Sequence, residues 1–234
     1  MVYQWLHNTQ MLAYPARCVL CDAPGAGDMD LCLACRSNLP VQTHACERCA
    51  LTLPGDDTVV LCPACQKKPP AFSSAWSLLR YEQPVDWLIT QLKFHARLSH
   101  GRLLAQLMSE RLTSSPEYEP PQALVPVPLH IRRWRERGFN QATEIAKPLG
   151  RALCLPVLPH AAQLVMDTAH QADLPAAKRQ ANVRRAFTAS SGLQLRHVAI
   201  VDDVVTTGAT ATALALALKQ AGVERVQLWC AARA

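Results

Sequence analysis

Two adjacent carboxylates, Asp202 and Asp203, directly follow a run of apolar residues, and Thr206, Thr207, Gly208 and Thr210 come next. Paired acids at such a place can accept hydrogen bonds from sugar hydroxyls or help hold a hydrated Mg²⁺. A hydroxyl- and glycine-rich turn that opens a helix aims backbone N–H groups, threonine hydroxyls and the helix N-terminus at one spot, which suits a phosphate. The segment lacks the Gly-x-x-x-x-Gly-Lys-Ser/Thr pattern of the Walker loop. Its single glycine also excludes the Gly-x-Gly-x-x-Gly dinucleotide turn. An ordinary strand–turn–helix with a threonine cap is the plainer alternative, but it leaves two acids after a strand without a packing purpose.

For these groups to converge, the chain around them must run strand, turn, helix. Residues 195–201 read as a strand, buried over 198–201, the acids as a turn, and the alanine-rich stretch 209–221 as a helix with Gly222 as its C-cap. Residues 226–231 read as the next strand, so a parallel, right-handed strand–helix–strand unit is expected. Earlier, 75–81 reads as a first strand. Val85, Leu88, Ile89 and Leu92 fall at helical spacing, as do Leu103, Leu104, Leu107 and Met108. Residues 92–97 lie between these two helices, and Gly101 is expected to mark a break or a helix start. Residues 114–121 are proline-rich and polar, hence a loop, and 124–127 form a short strand ending in Pro-Val-Pro.

After that strand, Arg132, Arg133, Arg135 and Arg137 face one opposing acid, Glu136. Arginine forks match phosphate oxygens through paired charge-assisted hydrogen bonds; a solvated helix face is the alternative. Gly138-Phe-Asn-Gln141 follows, and a helix is expected over 142–153. Trp134 and Phe139 among these arginines suit base stacking or, more simply, burial. A second basic cluster, Lys178, Arg179, Arg184 and Arg185, lies in 168–187 with little apolar periodicity. It reads either as a loop closing over a ligand or as an exposed helix.

Eight of the ten cysteines form four Cys-x-x-Cys pairs: Cys18/Cys21, Cys32/Cys35, Cys46/Cys49 and Cys62/Cys65. Each pair offers two thiolates, and two pairs complete a closed, structural zinc site of four cysteines. Sequential pairing suits zinc ribbons, while an interleaved cross-brace is also compatible with the spacing. Disulfides are the competing explanation, and thioredoxin-like chemistry needs one such pair on a βαβ frame rather than four in a row. His44 is expected in a loop rather than as a ligand, and the isolated Cys154 and Cys230 are expected in the core.

The 234 residues suffice for one α/β domain plus a small module. The expected division is a cysteine-rich module over 1–70, closed by Pro69-Pro70, and a larger domain over 71–234. Residues 1–70 hold 5 Lys/Arg against 6 Asp/Glu (net −1), and 71–234 hold 19 against 12 (net +7). The excess positive charge therefore lies with the larger domain and suggests a polyanionic ligand there. No run approaches the ~20 apolar residues of a membrane span. The N-terminus lacks a basic start followed by an apolar stretch, so the cytoplasm is the expected compartment.

Residues 198–210 resemble the phosphoribosyl pyrophosphate (PRPP) signature of type I phosphoribosyltransferases: strand, two acids, two variable residues, Thr-Thr-Gly, a small residue, Thr. Together with the cysteine pairs, Leu92-Lys93-Phe94, Pro126-Val-Pro128, Arg137-Gly-Phe-Asn-Gln141, and Gln171 with Arg179, Asn182 and Ala186-Phe187, the chain resembles the ComF/GntX family over nearly its whole length. The ending 226–230 is most similar to GntX members. One departure is that no Lys or Arg lies between Arg151 and Lys178.

The resemblance implies a type I phosphoribosyltransferase fold, a mostly parallel sheet flanked by helices, preceded by a double zinc-ribbon-like module. It implies PRPP with Mg²⁺ as ligand, with Asp202 and Asp203 as catalytic acids. Val204, Val205, Thr206, Thr207, Gly208, Ala209 and Thr210 would form the PRPP loop, and Pro128, Arg133 and Arg137 would meet pyrophosphate. It links the chain to DNA uptake and use, with single-stranded DNA or DNA-uptake proteins as partners, and through GntX to gluconate utilisation. Three functions fit these residues: a phosphoribosyltransferase whose acceptor no residue names, a non-catalytic PRPP/nucleotide sensor or single-stranded-DNA-binding protein, and a degenerate scaffold. The intact acid pair and Thr-Thr-Gly turn disfavour the last.

The cysteine count predicts about two zinc ions per purified chain, at four thiolates per metal. Metal analysis finding none, with titratable disulfides instead, would contradict this.

Overall fold

Strand β5 runs from His197 to Val205 and carries the acid pair inside it. In the computed structural model, which describes residues 15–55, 59–116, 118–165, 186–190 and 192–234, the elements follow in this order. The N-terminal module holds the short helices α1 (Leu33–Ser37) and α2 (Pro63–Lys67). Then come β1 (Ser74–Arg80), α3 (Val85–His95), α4 (Leu98–Thr113), β2 (Ala123–Pro126), α5 (Ile131–Arg137), α6 (Gln141–Leu153), β3 (Ala162–Leu164), β4 (Phe187–Ala189), β5, α7 (Ala209–Gln220) and β6 (Arg225–Arg233).

Four strands form a parallel sheet in the order β1-β6-β5-β2, and β3 and β4 form a separate antiparallel pair. Helices cover both faces, so the central strands are apolar on both sides, as buried parallel strands must be. Ala199 and Val201 of β5 join Ile89, Leu92, Leu104, Met108, Ile145 and Leu149 of α3, α4 and α6. The alternate residues Val198 and Ile200 join Leu214 and Leu218 of α7 and Phe187 of β4. The period-two alternation of a strand thus feeds two cores.

The strand β5 is four residues longer at its carboxyl end than the apolar run suggests, because Asp202, Asp203, Val204 and Val205 continue it rather than turning. Gly101 is not a break: it lies buried inside α4, where an added Cβ would come 3.3 Å from the Glu144 carbonyl oxygen of α6. The break between the two helices falls at Ala96, whose φ is 52°. Residues 92–95 are accordingly the last turn of α3. Cys154 is exposed and caps the C-terminus of α6 with φ 55°, against the expected burial, whereas Cys230 is buried. Residues 168–185, with the second basic cluster, lie outside the described residues.

The module sits along the free edge of β1. Val41 bridges Leu79, Gln42 N–H donates to the Leu78 carbonyl at 2.9 Å, and Ala75 N–H donates to the Glu47 carbonyl at 3.1 Å. This covers an edge whose backbone groups would otherwise be unpaired. Ion pairs Arg36–Glu110 (2.7 Å) and Arg102–Asp30 (2.6 Å) tie the module's first half to α4. Cys18, Met29, Leu31 and Leu39 pack into the core beneath α3 and α4, while Cys46, Leu53, Cys62 and Cys65 form a cluster of their own. Among the described residues no helix is long and apolar enough to cross a membrane.

Gly150 of α6 permits the close return of the following segment to β2: an added Cβ would lie 2.4 Å from Val157 Cγ2 and 2.8 Å from the Leu155 carbonyl oxygen. Gly150→Ala is expected to destabilise the fold by about 1–3 kcal/mol through overpacking, read as a lower urea midpoint. An unchanged midpoint would contradict the close packing.

Candidate functional site

The eight paired cysteines gather in sequential order. The Sγ atoms of Cys18, Cys21, Cys32 and Cys35 lie within 4.8 Å of one another, as do those of Cys46, Cys49, Cys62 and Cys65. The two clusters are built alike. In each, the first pair forms a knuckle closed by a residue at positive φ, Asp22 (60°) or Ala50 (57°). The second pair opens a short helix, with Cys32 and Cys62 as N-caps of α1 and α2. Burial opposes ionisation of Cys18 and Cys46, but backbone N–H groups aimed at the sulfurs outweigh it and lower the two thiols to about 6 and about 7. Cys35 is pushed up to about 12 by its sulfur neighbours Cys21 and Cys32, and burial pushes Cys65 up as well. Four thiols packed this closely ionise together only when a cation offsets their repulsion, which fits a closed tetrahedral zinc site. His44 is no ligand: its Nε2 pairs with the Val59 carbonyl at 3.1 Å.

At the carboxyl end of the sheet, β2 and β5 pair in register, Pro126 beside Val201, so the loops that follow both strands start at one edge. Carboxyl ends of parallel strands are where open α/β sheets bind ligands. Asp202 and Asp203 sit just beyond this pairing. Asp203 is 3% exposed, and its Oδ1 accepts from Val204 N–H at 2.9 Å. Its Oδ2 lies 2.8 Å from Lys93 Nζ as an ion pair without hydrogen-bond alignment, so this oxygen keeps its acceptor capacity. Asp202 keeps a part-exposed edge, yet dense surroundings and then the Asp203 charge raise its carboxyl well above the usual carboxylate range. Asp202 therefore resists ionisation until a cation or a hydroxyl donor arrives.

Thr206, Thr207, Ala209 and Thr210 are exposed, and Gly208 takes φ 72° at the N-cap of α7. Gly208 has no side chain to cap this helix, and the Ala209 N–H donates instead to Thr207 Oγ1 of the preceding turn at 3.3 Å. The side chains of Val204 and Val205 belong to the cores instead, and Val205 offers no free carbonyl, since Ala234 N–H and Arg233 both donate to it.

The arginine-rich segment is the helix α5. Gly138 ends it with φ 78°, and Asn140 starts α6 two residues later. Asn140 Oδ1 accepts from Ala142 N–H at 3.0 Å while its Nδ2 donates to the Val127 carbonyl at 2.9 Å, so this side chain pins α6 to the end of β2. Lys93, Phe94, Ala96, Arg133, Glu136, Arg137 and Phe139 line a cavity of about 530 Å³. Arg137 lies 5.1 Å over the Phe94 ring, and its Nη1 is buried without a hydrogen-bond partner. Burial, and then the neighbouring Arg133, lower its pKa, while Asp203 raises it. An anion in the cavity would meet both needs. Arg132 pairs with Glu136 at 3.3 Å, and Pro128 is not among the cavity-lining residues. Trp134 is 49% exposed rather than buried. Lys93 was visible in the sequence as one residue of Leu-Lys-Phe, but only the fold brings it to Asp203.

A sequence profile of the double zinc ribbon domain matches residues 10–69, so the two clusters are zinc-binding sites. DNA utilization protein YhgH of Escherichia coli K12 is 36% identical over 230 residues, 95% of the chain and 99% of that protein. Competence protein F of Haemophilus influenzae is 32% identical over 222 residues, 87% of the chain and 96% of that protein. Competence protein ComFC of Streptococcus pneumoniae is 24% identical over 210 residues, 88% and 89% of the two chains.

Asn140→Ala removes both the helix cap and the tie to β2. A loss of about 1–2 kcal/mol in denaturant unfolding is expected; a variant as stable as the parent would show the side chain to be dispensable.

Proposed function

The chain belongs to the ComF/GntX family of phosphoribosyltransferase-like proteins, and from that premise we propose that it binds PRPP with Mg²⁺ at the carboxyl end of β5. The observation that carries this reading is the convergence of three features at one sheet edge. They are a hydroxyl loop on a helix N-terminus with glycine at its N-cap, an acid pair with Asp203 buried and Asp202 part-exposed, and a cavity walled by Lys93, Arg133 and Arg137.

The 5′-phosphate takes the N–H groups and hydroxyls of Thr206, Thr207, Gly208, Ala209 and Thr210. The ribose hydroxyls donate to Asp202 and Asp203. The pyrophosphate lies toward Arg133 and Arg137, with the Pro128 turn beside it, and supplies the acceptor that Arg137 Nη1 lacks. Asp202 and Asp203 would hold Mg²⁺, which would supply charge neutralisation for the pyrophosphate. Lys93, ion-paired to Asp203 in this structure, is placed to exchange that partner for the leaving group. A nitrogen nucleophile displacing pyrophosphate at C1′ would be helped by positioning and by stabilisation of the departing charge.

The names of the relatives support a role in the use or uptake of DNA. A second reading, a non-catalytic sensor or a single-stranded-DNA-binding protein, is favoured by Phe94 (67% exposed) and Trp134 standing beside the arginines. Pyrophosphate release with a panel of nucleobases separates the two, since a binding protein releases none and instead holds DNA in a salt-dependent way.

The binding claim is tested by thermal shift. At Mg²⁺–PRPP a hundredfold above Kd, the parent should gain about 2.7 kcal/mol, a rise of roughly 5–10 °C, and the Asp202→Asn/Asp203→Asn variant should gain nothing. No shift in the parent at saturating ligand would end the PRPP reading.

A further inference from the structure

Arg233, the last residue of β6, is 7% exposed, and its hydrogen-bond partners are all main-chain oxygens, those of Cys49, Val205 and Ala234. Nε donates to the carbonyl of Cys49 at 3.0 Å, and Nη1 donates to the carbonyl of Val205 at 3.0 Å. Cys49 is a ligand of the second zinc cluster. Val205 is the last residue of β5, next to Thr206 of the phosphate loop. One buried guanidinium therefore spans the gap between a metal knuckle and the ligand loop.

Neighbouring contacts run the same way. Arg48, inside the same Cys-x-x-Cys knuckle, donates from Nη1 to the Ser73 carbonyl at 2.5 Å. Phe72, 1% exposed, lies under the loop, its ring Cζ 3.8 Å from where a Cβ on Gly208 would stand. The knuckle's shape is what places the Cys49 carbonyl, since Ala50 follows it at φ 57° and the four sulfurs are gathered within 4.8 Å. Without the metal nothing offsets the crowding of those thiols, and a shifted Cys49 carbonyl would leave a buried charged donor unsatisfied. The first cluster provides a contrast. Its ties run to α4, through Asp30–Arg102 and Asp28–Gln106, and none of its hydrogen bonds among the described residues reaches the phosphate loop.

We propose that Arg233 is a positioning residue that couples occupancy of the second zinc site, and not the first, to anion binding at the 206–210 loop. This rests on the PRPP reading of that loop. The zinc ribbon is thereby part of the ligand site's framework: loss of metal from Cys46, Cys49, Cys62 and Cys65 loosens the loop through Val205. Because coupling between two binding equilibria is reciprocal, PRPP must in turn tighten zinc at that one site.

The test measures zinc affinity of the full-length protein by equilibrium competition with a chelator of known strength, with and without saturating Mg²⁺–PRPP. In the parent, the ligand should tighten one of the two zinc ions severalfold and leave the other unchanged. In Arg233→Gln, that difference should vanish and PRPP binding by calorimetry should weaken roughly tenfold, the loss of a charged hydrogen bond. Two zinc ions should still be retained. The parent measurement needs no variant, so it decides the matter even if Arg233→Gln does not fold.

PRPP binding with both zinc affinities unmoved would overturn the coupling and leave the PRPP reading standing. An Arg233→Gln protein that is less stable without ligand, yet keeps the ligand-dependent zinc difference, would reduce Arg233 to a structural role and overturn its assignment. A parent that fails to bind PRPP would overturn both.

Discussion

Strand β5 is hydrogen-bonded to β2 on one side and β6 on the other, in register from His197 to Val205 with β6 and over Val198–Val201 with β2. Everything at the ligand end depends on that double clamp. It stops on the β2 side at Val201, so the acid pair emerges where one neighbour has ended and the other continues. Asp203 can then be buried against Lys93 of α3, while the loop that follows stays exposed. A strand free on one side would leave the acids in solvent.

The site keeps several groups in need of a partner. Arg137 has a buried nitrogen without an acceptor, Gln141 Oε1 is likewise unpaired, and Asp203 Oδ2 meets Lys93 without hydrogen-bond alignment. Buried polar atoms are nearly always satisfied in folded proteins. Three such atoms near the carboxyl ends of β2 and β5, against His44 Nδ1 and His197 Nε2 elsewhere, fit a region organised for something beyond the chain itself. The two zinc clusters differ in this respect, since their donors are complete among themselves and their role is to hold shape.

Much of this was legible in the chain. The Cys-x-x-Cys spacing indicated two sites of four cysteines each, although only the structure decides sequential over interleaved pairing. The Asp-Asp-x-x-Thr-Thr-Gly stretch and its flanking strands were readable because local periodicity and turn chemistry determine them. What escaped was set by distant contacts. Gly101 looked like a break because nothing local reveals that Glu144 packs on it. Cys154 looked like core, but it caps a helix at positive φ. Lys93 belongs to the readable Leu-Lys-Phe piece and Arg233 to no motif, but the roles of both exist only once α3 and β6 lie beside β5. The acids' place inside β5 has no local signature, because a strand's charged end resembles a loop when its neighbours are unseen.

Phosphorus NMR of PRPP titrated with the protein and Mg²⁺ tests the central claim most directly, because it reports on both ends of the ligand at once. The 5′-phosphate and pyrophosphate resonances should both shift or broaden. In Arg137→Met, the pyrophosphate response should weaken while the 5′-phosphate response persists. Resonances that stay unchanged with the parent protein at saturating concentration would contradict a PRPP site at the end of β5.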